Sequence, residues 1–547
     1  MTHGDAGAAG QTADPGRGAW LKAADSSALA PLVQRVFRWL WLAVLISWIG
    51  TWMQTVGAQW LLVDEPNAAA LVSLVQAAGT LPMMLLALPG GVLADSFDRR
   101  WLLITVQAYL FVVALLLAAL TAAGLMPPAL LLAFTFALGV GAAVQIPAWQ
   151  AMMPELVPRT QLRAAARLDL VSVNLAYAVG PVLAGLAIAH LGGVPVAFAF
   201  KAAAAVFFAL ILFFARQPQA TSATRRERFL PALRAGGRYI WHEPIVRRIL
   251  LRTVMFAVPA MALWALLPLI ASRRLGLGAD GFGALFGAFG FGAIVGAMAL
   301  GRVRDRLSNN GMLGAAGVVY AAATAVIVLA PGFPAALATL VFAGLAWMAA
   351  TSTLAAELQL FLPVWVRARG LAIYTVTFTG SMTAGSLLWG FVAQGLGLQI
   401  AFLIAAFVMF AGVIAGMAWR VPETGHLDPQ PVVYWPAARL AFDPEDDAGP
   451  VMVTVEYTIT PEKEAAFLEA MDNLRRSRRR TGASRWELYR DGDRPNRFVE
   501  MFSVPSWENT SANTKAASPQ PTKQSRRPHW HSLIRRLERS TCSRPSS

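Results

Sequence analysis

The sequence predicts an all-α membrane protein of twelve transmembrane helices in two parallel six-helix halves, followed by a small cytoplasmic α+β domain. Three observations predict this class. Of the 547 residues, 56% are hydrophobic and only 14% are charged, whereas a soluble domain carries about 25% charged residues. Between residues 36 and 419, apolar stretches long enough to cross ~30 Å of hydrocarbon alternate with short polar breaks. Beyond residue 450, apolar and polar residues alternate as in a half-buried strand.

The predicted spans divide at their longest break into two halves. They are 36–63, 69–93, 101–124, 127–149, 165–190 and 194–215, then 249–272, 281–301, 311–331, 334–362, 368–397 and 399–419. The N-terminal half covers 36–215, a basic loop covers 216–248, and the C-terminal half covers 249–420. Gln150-Ala-Met-Met-Pro154 ends the fourth span and Gln359-Leu-Phe-Leu-Pro363 ends the tenth. This recurrence predicts an internal repeat with both halves in the same orientation.

Basic residues indicate the orientation of the chain. The formal net charge is +15, and arginines concentrate in the breaks on one side of the predicted membrane while the other side is nearly bare. The positive-inside rule therefore predicts a multi-pass protein of the cell membrane with both termini in the cytoplasm. Residues 1–35 are expected to form a polar tail without a signal peptide. Because the orientation of the chain in the membrane explains the basic residues, the lipid bilayer is an expected partner and nucleic acid is not.

The break between the second and third spans carries a recognisable motif. It reads Gly-Val-Leu-Ala-Asp-Ser-Phe-Asp-Arg-Arg from residue 91 to residue 100. A glycine permits close helix approach, an aspartate accepts hydrogen bonds from a facing helix N-terminus, and arginines hold the loop at the cytoplasmic surface. The motif resembles the signature loop of the major facilitator superfamily, with a serine replacing a basic residue and an aspartate replacing a glycine. The resemblance makes Gly91, Asp95, Arg99 and Arg100 a candidate conformational gate.

More of the chain resembles the enterobactin-exporter-like, or transmembrane secretion effector, branch of that superfamily. The resemblance rests on Gly50-Thr-Trp-Met-Gln-Thr-Val56, Pro147-Ala-Trp-Gln150 and Gly180-Pro181-x-x-x-Gly185. It implies a secondary-active exporter, not an enzyme, that moves a small amphipathic drug- or siderophore-like compound by alternating access. Protons are the implied coupling ion, and no cofactor is implied. Gly180, Pro181 and Gly185 then form an export-associated helix motif, which helix packing would explain equally well.

Two alternatives stay open on the sequence alone. The same fold serves uptake permeases, and the bundle can instead anchor a sensor that acts through its C-terminal domain. Two positions also depart from the branch. Tyr177 stands where an arginine is usual and Lys201 where an asparagine is usual, which puts an arginine-based substrate contact in doubt.

Polar residues inside the spans are the candidate functional groups, because a charged side chain at the membrane centre costs about 2.5–3.5 kcal/mol on insertion scales. Asp169 and Glu357 are candidates for carrying the coupling proton, although solvation near the cytoplasmic interface is the simpler explanation for both. For Lys201 the simpler explanation is an amine that extends toward the outer interface. The candidate substrate cavity comprises Trp52, Gln54, Gln59, Gln107, Gln145, Asn174, Tyr177 and Lys201.

The eighth span is rich in glycine. It contains Gly283-x-x-x-Gly287 and Gly292-x-x-x-Gly296. Small-xxx-small spacing lets two helices touch backbone to backbone. The span is therefore predicted to pack tightly against its neighbours, and a helix that slides during transport would use the same surface.

The C-terminal region divides into a linker over 421–450, a module over 451–508 and a tail over 509–547. The module reads as β-α-β-β, with a helix starting at Thr460 and a hairpin around the Asp491-Gly492 turn. It is similar to the ferredoxin-like module of the exporter branch. Because no His, Cys or carboxylate cluster suggests a metal site, ligand sensing or self-association is expected rather than catalysis.

The tail over 509–547 does not continue this pattern. It is rich in Ser, Thr, Pro and Arg and lacks the second helix that should cover the sheet. The genetic code allows a choice of codons for Glu508 to Lys515 such that the same bases, read in a neighbouring reading frame, encode a helix-forming segment. The tail is therefore expected to be either disordered or a frameshifted reading.

Overall fold

The computed structural model describes residues 29–215, 243–304, 306–329, 332–362, 364–421, 451–480, 483 and 485–504. The predicted loop 216–248, linker 421–450, tail 509–547 and N-terminal tail 1–35 lie wholly or largely outside these residues. The described residues belong to two compact units. The first holds most of the helical bundle, and the second holds residues 243–248, residues 358–371 and the C-terminal α+β domain.

Within the described residues, twelve helices are long and apolar enough to cross a membrane, as predicted. They are α1 (Arg35–Leu61), α2 (Ala68–Ser96), α3 (Arg99–Ala122), α4 (Pro128–Leu156), α5 (Leu162–His190), α6 (Val194–Phe214), α7 (Pro244–Leu269), α8 (Ala279–Arg304), α9 (Asn309–Leu329), α10 (Phe333–Phe361), α11 (Val364–Leu396) and α12 (Leu398–Ala418). In hydrocarbon every backbone polar group must be bonded within the chain, so each apolar stretch forms a continuous helix. For the same reason α4 continues past Pro147 and Pro154, beyond its predicted end at residue 149.

The two halves repeat their geometry at corresponding places. Gly193 precedes α6 with φ of 80°, and Gly397 precedes α12 with φ of 88°. L-residues with a side chain rarely adopt this left-handed backbone, whereas glycine does so without strain. The last loop of each half therefore turns in the same way, as a sequence repeat requires.

The connecting loops alternate between two ends of the bundle. The loops after α1, α3, α5, α7 and α11 lie at one end, here called the charge-poor end, and the loops after α2, α4 and α8 lie at the arginine-rich end. Two apolar clusters form the core of the N-terminal half. One surrounds Phe37, Trp149 and Phe208 toward the arginine-rich end, and the other surrounds Leu62 and Phe198 toward the charge-poor end.

The C-terminal domain has the predicted β-α-β-β order. Its elements are β1 (Val451–Thr458), α13 (Glu464–Arg480), β2 (Arg485–Arg490) and β3 (Arg497–Val504). The strands form an antiparallel sheet in the order β1-β3-β2. Side chains alternate between partly buried and exposed along β1, and Phe467, Met471 and Phe498 form the core between helix and sheet. The period-two pattern was therefore sufficient to locate the strands.

The predicted hairpin around the Asp491-Gly492 turn is present, and β2 and β3 are joined by a loop over 491–496. The Asp491 amide donates a hydrogen bond to the Arg497 carbonyl at 2.9 Å, which closes the loop. Pro495 has no N–H and cannot join the strand ladder, so β3 begins only after it.

A buried carboxylate, Glu500, joins the sheet to α13. It accepts hydrogen bonds from Arg478 Nε at 3.0 Å, Trp486 Nε1 at 2.7 Å and the Tyr457 hydroxyl at 2.9 Å. Burial, and after it the charge of Glu500, raises the pKa of the Tyr457 phenol well above its usual value. Because both carboxylate oxygens are bonded, this network fixes the packing of the domain and leaves no free reactive group.

Candidate functional site

The second aspartate of the gate motif, Asp98, caps helix α3. Its Oδ1 accepts hydrogen bonds from the backbone amides of Arg100 at 3.0 Å and Trp101 at 3.1 Å. These amides are among the N-terminal donors that the helix itself cannot satisfy. The residue that departs from the superfamily motif therefore has a local structural role.

The two candidate gate arginines connect α3 to neighbouring helices. Arg99 forms an ion pair with Glu155 near the end of α4. Arg100 donates to the Leu212 carbonyl at 2.9 Å and to the Phe213 carbonyl at 2.6 Å. These carbonyls lie at the C-terminus of α6, where the helix dipole favours a cation. The arginines thus join three helices of the N-terminal half at its arginine-rich end.

Close helix packing beside this motif occurs at Gly90, not at Gly91. A Cβ added at Gly90 would lie 2.6 Å from the Ala143 carbonyl oxygen on α4, whereas one added at Gly91 would meet no described atom within 4 Å. The expectation that Gly91 permits a close approach is therefore wrong for this conformation. Asp95 lies in the last turn of α2, but its side chain is outside the described part of the chain, so its gate role stays a prediction.

The export-associated motif of α5 packs on the glycine-rich face of α8, across the boundary between the halves. A Cβ added at Gly185 would lie 3.0 Å from the Gly283 Cα, and one added at Gly283 would lie 2.5 Å from the Pro181 carbonyl oxygen. A Cβ added at Gly290 would lie 2.7 Å from the Tyr177 carbonyl oxygen, the carbonyl to which Pro181 cannot donate because it has no N–H. We call this backbone-to-backbone contact the α5–α8 interface.

A second set of α8 glycines packs inside the C-terminal half. A Cβ added at Gly296 would lie 3.0 Å from the Leu345 carbonyl oxygen on α10. Gly292 lies on the same face, and a Cβ added at Gly344 of α10 would overlap the Phe289 carbonyl oxygen of α8. The two small-xxx-small pairs of the eighth span therefore face different partners, and we call this second one the α8–α10 contact.

Polar contacts also join the two halves at the charge-poor end. Arg273, which follows α7, donates from Nη2 to the Val63 carbonyl at 3.3 Å and the Glu65 carbonyl at 3.4 Å. Gln394, near the end of α11, donates to Asn67 Oδ1 at 3.2 Å. Together with the α5–α8 interface, these contacts hold the halves together at that end.

An aromatic cluster lies between the halves. The ring of Trp52 on α1 lies 4.3 Å from that of Tyr177 on α5 and 5.7 Å from that of Trp264 on α7, between centroids. Phe286 on α8 lies 5.1 Å from Trp264 and 5.6 Å from Trp52. Gly180 makes room for the cluster, since a Cβ there would lie 2.6 Å from Trp52 Cβ. Two sequence-predicted cavity residues thus meet two aromatic residues of the other half.

Lys201 on α6 is 4% exposed and directs its amine toward α1. Its Nζ donates to Thr51 Oγ1 at 2.8 Å and to the Ser47 carbonyl oxygen at 3.4 Å. Gln145 of α4 donates to Ser47 Oγ at 3.4 Å, so this polar group reaches three helices. The expectation that the lysine extends toward the outer interface is therefore wrong.

Several predicted cavity residues have buried polar atoms without a partner in the described part of the chain. Near the aromatic cluster these are the indole Nε1 of Trp52 and, on the same helix, the Nε2 of Gln54. The indole Nε1 of Trp264, a residue that was not predicted, is also without a partner there. The amides of Gln59 and Gln107 are fully buried, and neither their oxygen nor their nitrogen is bonded. An unbonded buried group costs about 1–3 kcal/mol. These atoms mark positions at which a bound molecule would gain hydrogen bonds.

Each candidate proton carrier accepts a hydrogen bond from a neutral side chain. Trp149 Nε1 donates to Asp169 Oδ1 at 2.8 Å, and Asp169 is partly exposed. Asn309 Nδ2 donates to Glu357 Oε1 at 2.5 Å, and Glu357 is buried. Solvation by water therefore explains a carboxylate at Asp169 and does not explain one at Glu357.

Asn174, a predicted cavity residue, donates its side-chain amide to a backbone carbonyl of its own helix.

Sequence reasoning missed the aromatic residues that the C-terminal half contributes. Phe282, Phe286 and Phe289 recur at helical spacing on α8, a pattern that is more typical of a packed core. Trp264 carried no signal beyond its size. Their common role emerges only when the two halves are placed face to face.

Two six-helix halves that meet at a central polar and aromatic site define a membrane transporter of the major facilitator type. Residues 26–518 match the family described as transmembrane secretion effector. The chain belongs to that family. Its relatives are transporters rather than enzymes, which confirms the expectation from sequence.

Individual relatives match over part of their length. The chain is 25% identical to the staphyloferrin A transporter of Staphylococcus aureus over 145 residues, which are 26% of this chain and 36% of that protein. It is 29% identical to the multidrug efflux pump Tap of Mycobacterium bovis over 215 residues, 38% of this chain and 51% of that protein. The matches thus span only a third to a half of these relatives.

Solved structures share the fold over the helical bundle. The structural match to a D-xylose–proton symporter covers 71% of this chain and 98% of the symporter chain, with 14% sequence identity and a TM-score of 0.58. The structural match to the nucleoside transporter NupG covers 70% of this chain and 98% of the NupG chain, with 10% sequence identity and a TM-score of 0.58. Identities this low show a common fold and carry no information on substrate.

Proposed function

We propose that the protein exports a small amphipathic compound, drug- or siderophore-like in character, from the cytoplasm by alternating access. The observation that carries the proposal is the central site, where aromatic rings from both halves lie in the same bundle as buried amides and a buried lysine. Rings accommodate an apolar body, and a few polar groups fix its orientation. Of the candidate cavity residues predicted from sequence, Trp52 and Tyr177 belong to the aromatic cluster.

The proposed direction rests on orientation and relationship. Arginine placement favours a cytoplasmic arginine-rich end in the cell membrane, so the contacts at the charge-poor end would close the outer side. One matched relative is named an efflux pump, and the family is named for secretion. Uptake is the alternative, since a sugar–proton symporter shares the fold.

Alternating access requires the halves to separate at one end and meet at the other. We assign the α5–α8 interface, with Gly180, Pro181 and Gly185, to closure of the outer end. The gate motif, with Asp95, Arg99 and Arg100, is assigned to the cytoplasmic end. Both assignments follow from position in the bundle.

Proton coupling is proposed to use Asp169 or Glu357, which would make the protein a drug–proton antiporter. If one of them carries the proton, its neutral variant should lose gradient-driven export and keep substrate exchange. Asp169→Asn and Glu357→Gln test this in proteoliposomes. Gradient-driven export in both single variants would exclude these residues as carriers.

Transport in everted membrane vesicles tests the export proposal. Energised wild-type vesicles should accumulate at least one dye from a panel of a cationic, a neutral and an anionic amphipathic dye, namely ethidium, N-phenyl-1-naphthylamine and 8-anilinonaphthalene-1-sulfonate. An uncoupler should abolish the accumulation. Vesicles without the protein give the background. Accumulation in energised right-side-out vesicles instead would show an uptake permease.

The C-terminal domain is proposed to bind a ligand or to self-associate while the bundle transports. Deleting residues 422–547 separates this proposal from the sensor alternative. An exporter keeps dye transport after the deletion, whereas transport that disappears with the domain would favour a protein that acts through it.

A further inference from the structure

The amine of Lys201 is buried without a counter-charge. Its partners among the described residues are a threonine hydroxyl and a backbone carbonyl, both uncharged. An ammonium group has three donors, and burying it without an opposite charge costs several kcal/mol. A charged amine at this position therefore has no counter-charge among the described contacts, and a bound anion would stabilise it.

No described contact brings an acidic side chain to this amine. Lys201 is on α6, which packs against α1, α3 and α5, and α1, α3 and α6 contain no Asp or Glu. The acidic residue of α5, Asp169, accepts a hydrogen bond from Trp149, and that of α4, Glu155, pairs with Arg99. The described contacts therefore supply no negative charge to Lys201.

Three unpaired donors lie close to the aromatic cluster and Thr51. They are the indole N–H groups of Trp52 and Trp264 and the amide nitrogen of Gln54, whereas Gln59 and Gln107 each leave both an oxygen and a nitrogen unpaired. Trp52 and Gln54 lie within one turn of Thr51, the residue that binds the lysine. A bound molecule rich in acceptors would satisfy these donors, and a molecule that carries only donors would not.

We propose that the transported compound is an amphipathic organic anion, and that Lys201 supplies the counter-charge for its anionic group. The inference rests on the proposed export function and names its substrate class. The aromatic cluster would hold the apolar body while the carboxylate, or another anionic group, pairs with the lysine. Lys201 is then the residue that determines charge specificity.

Matched ligands that differ only in charge test the proposal. Binding of 2-naphthoate and of the neutral 2-naphthamide to the purified full-length protein is measured by equilibrium dialysis. Wild type should bind the anion about tenfold or more tightly than the amide, as expected for a hydrogen bond to a charged group. Lys201→Met should remove this preference by weakening anion binding alone, and Lys201→Arg should restore it.

Lys463→Met is the matched control, since it removes one positive charge in the C-terminal domain, and it should keep the wild-type preference. A lysine that only joins α6 to α1 would, on removal, weaken both ligands or neither. The proposal is overturned if wild type does not prefer the anion, or if Lys201→Met keeps the preference. The wild-type comparison decides even if the Met variant does not fold.

Failure of this inference differs from failure of the export proposal. If energised everted vesicles accumulate a dye of the panel while the protein does not prefer naphthoate over naphthamide, export stands and the anion site is wrong. If naphthoate binds through Lys201 but no compound moves against its gradient, the anion site stands and export is wrong.

Discussion

Helix α8 makes two glycine-mediated contacts with the same sequence spacing and different consequences. Gly283 and Gly287 meet α5 of the other half, whereas Gly292 and Gly296 meet α10 of the same half. In a transporter whose halves rock against each other, the first contact has to separate and the second has to persist. A small-xxx-small pair therefore indicates close packing without indicating whether the packing is permanent.

The chemistry of the α5–α8 interface suits a contact that opens. Backbone atoms meet there through glycines, and contacts of this kind are worth only about 0.5–1 kcal/mol each. Substitution at the α5–α8 interface should therefore change the conformational equilibrium, and substitution at the α8–α10 contact should change stability.

The largest effect is expected at the permanent contact, in Gly344→Ala. The added methyl group would overlap the Phe289 carbonyl oxygen, and backbone cannot move aside as a flexible side chain does. We expect a loss of about 3 kcal/mol or more in the free energy of unfolding, or failure to fold. Thermal melting in detergent measures it, with Gly314→Ala as control because a Cβ there meets nothing within 4 Å. Equal melting temperatures for the two variants would contradict the prediction.

The next effect is expected at the interface that opens, in Gly283→Ala. A methyl group would lie 2.5 Å from the Pro181 carbonyl oxygen, so closing the outer end would cost about 1–3 kcal/mol and slow dye export about tenfold or more. The melting temperature should stay near that of wild type, because the halves can remain apart. Export and melting are measured on the same preparation. Loss of both together would show that this contact is permanent as well.

The smallest effect is expected at the gate motif, in Asp95→Asn. The proposed gate role has this carboxylate accept hydrogen bonds from a facing helix N-terminus, an interaction worth a few tenths to about one kcal/mol, so its removal should slow exchange about two- to fivefold. Affinity for the transported dye should change little, because the motif lies at the arginine-rich end. Rates from transport and affinities from equilibrium binding separate the two quantities. An equal loss of affinity and rate would argue against a gate.

The sequence was sufficient for the features that depend on local pattern. Twelve apolar stretches gave twelve helices, and the alternation from Val451 gave β1, because lipid and a half-buried sheet each impose a period on the chain. The sequence did not predict which distant helices contact each other. The small-xxx-small spacing that begins at Gly283 and at Gly292 does not indicate which helix each glycine packs against.

Lys201 shows the same limit at the candidate site. From sequence it is a lysine near one end of a span, which normally extends toward water. It is buried because Gly50 lets α1 approach: a Cβ at that position would lie 3.2 Å from the Lys201 Cα. That close approach depends on tertiary structure, and so does the contact of Trp52 with Trp264 from the other half.

The most direct test of the account measures a distance across the charge-poor end. Spin labels placed by Leu125→Cys and Leu396→Cys, at exposed positions of the two halves, are compared after the native cysteine is removed by Cys542→Ser. In reconstituted protein, Gly283→Ala should shift the distance distribution toward longer values, and Gly296→Ala should leave it as in wild type. A distribution unchanged by Gly283→Ala, or shifted equally by both variants, would contradict an α5–α8 interface that opens while the α8–α10 contact persists.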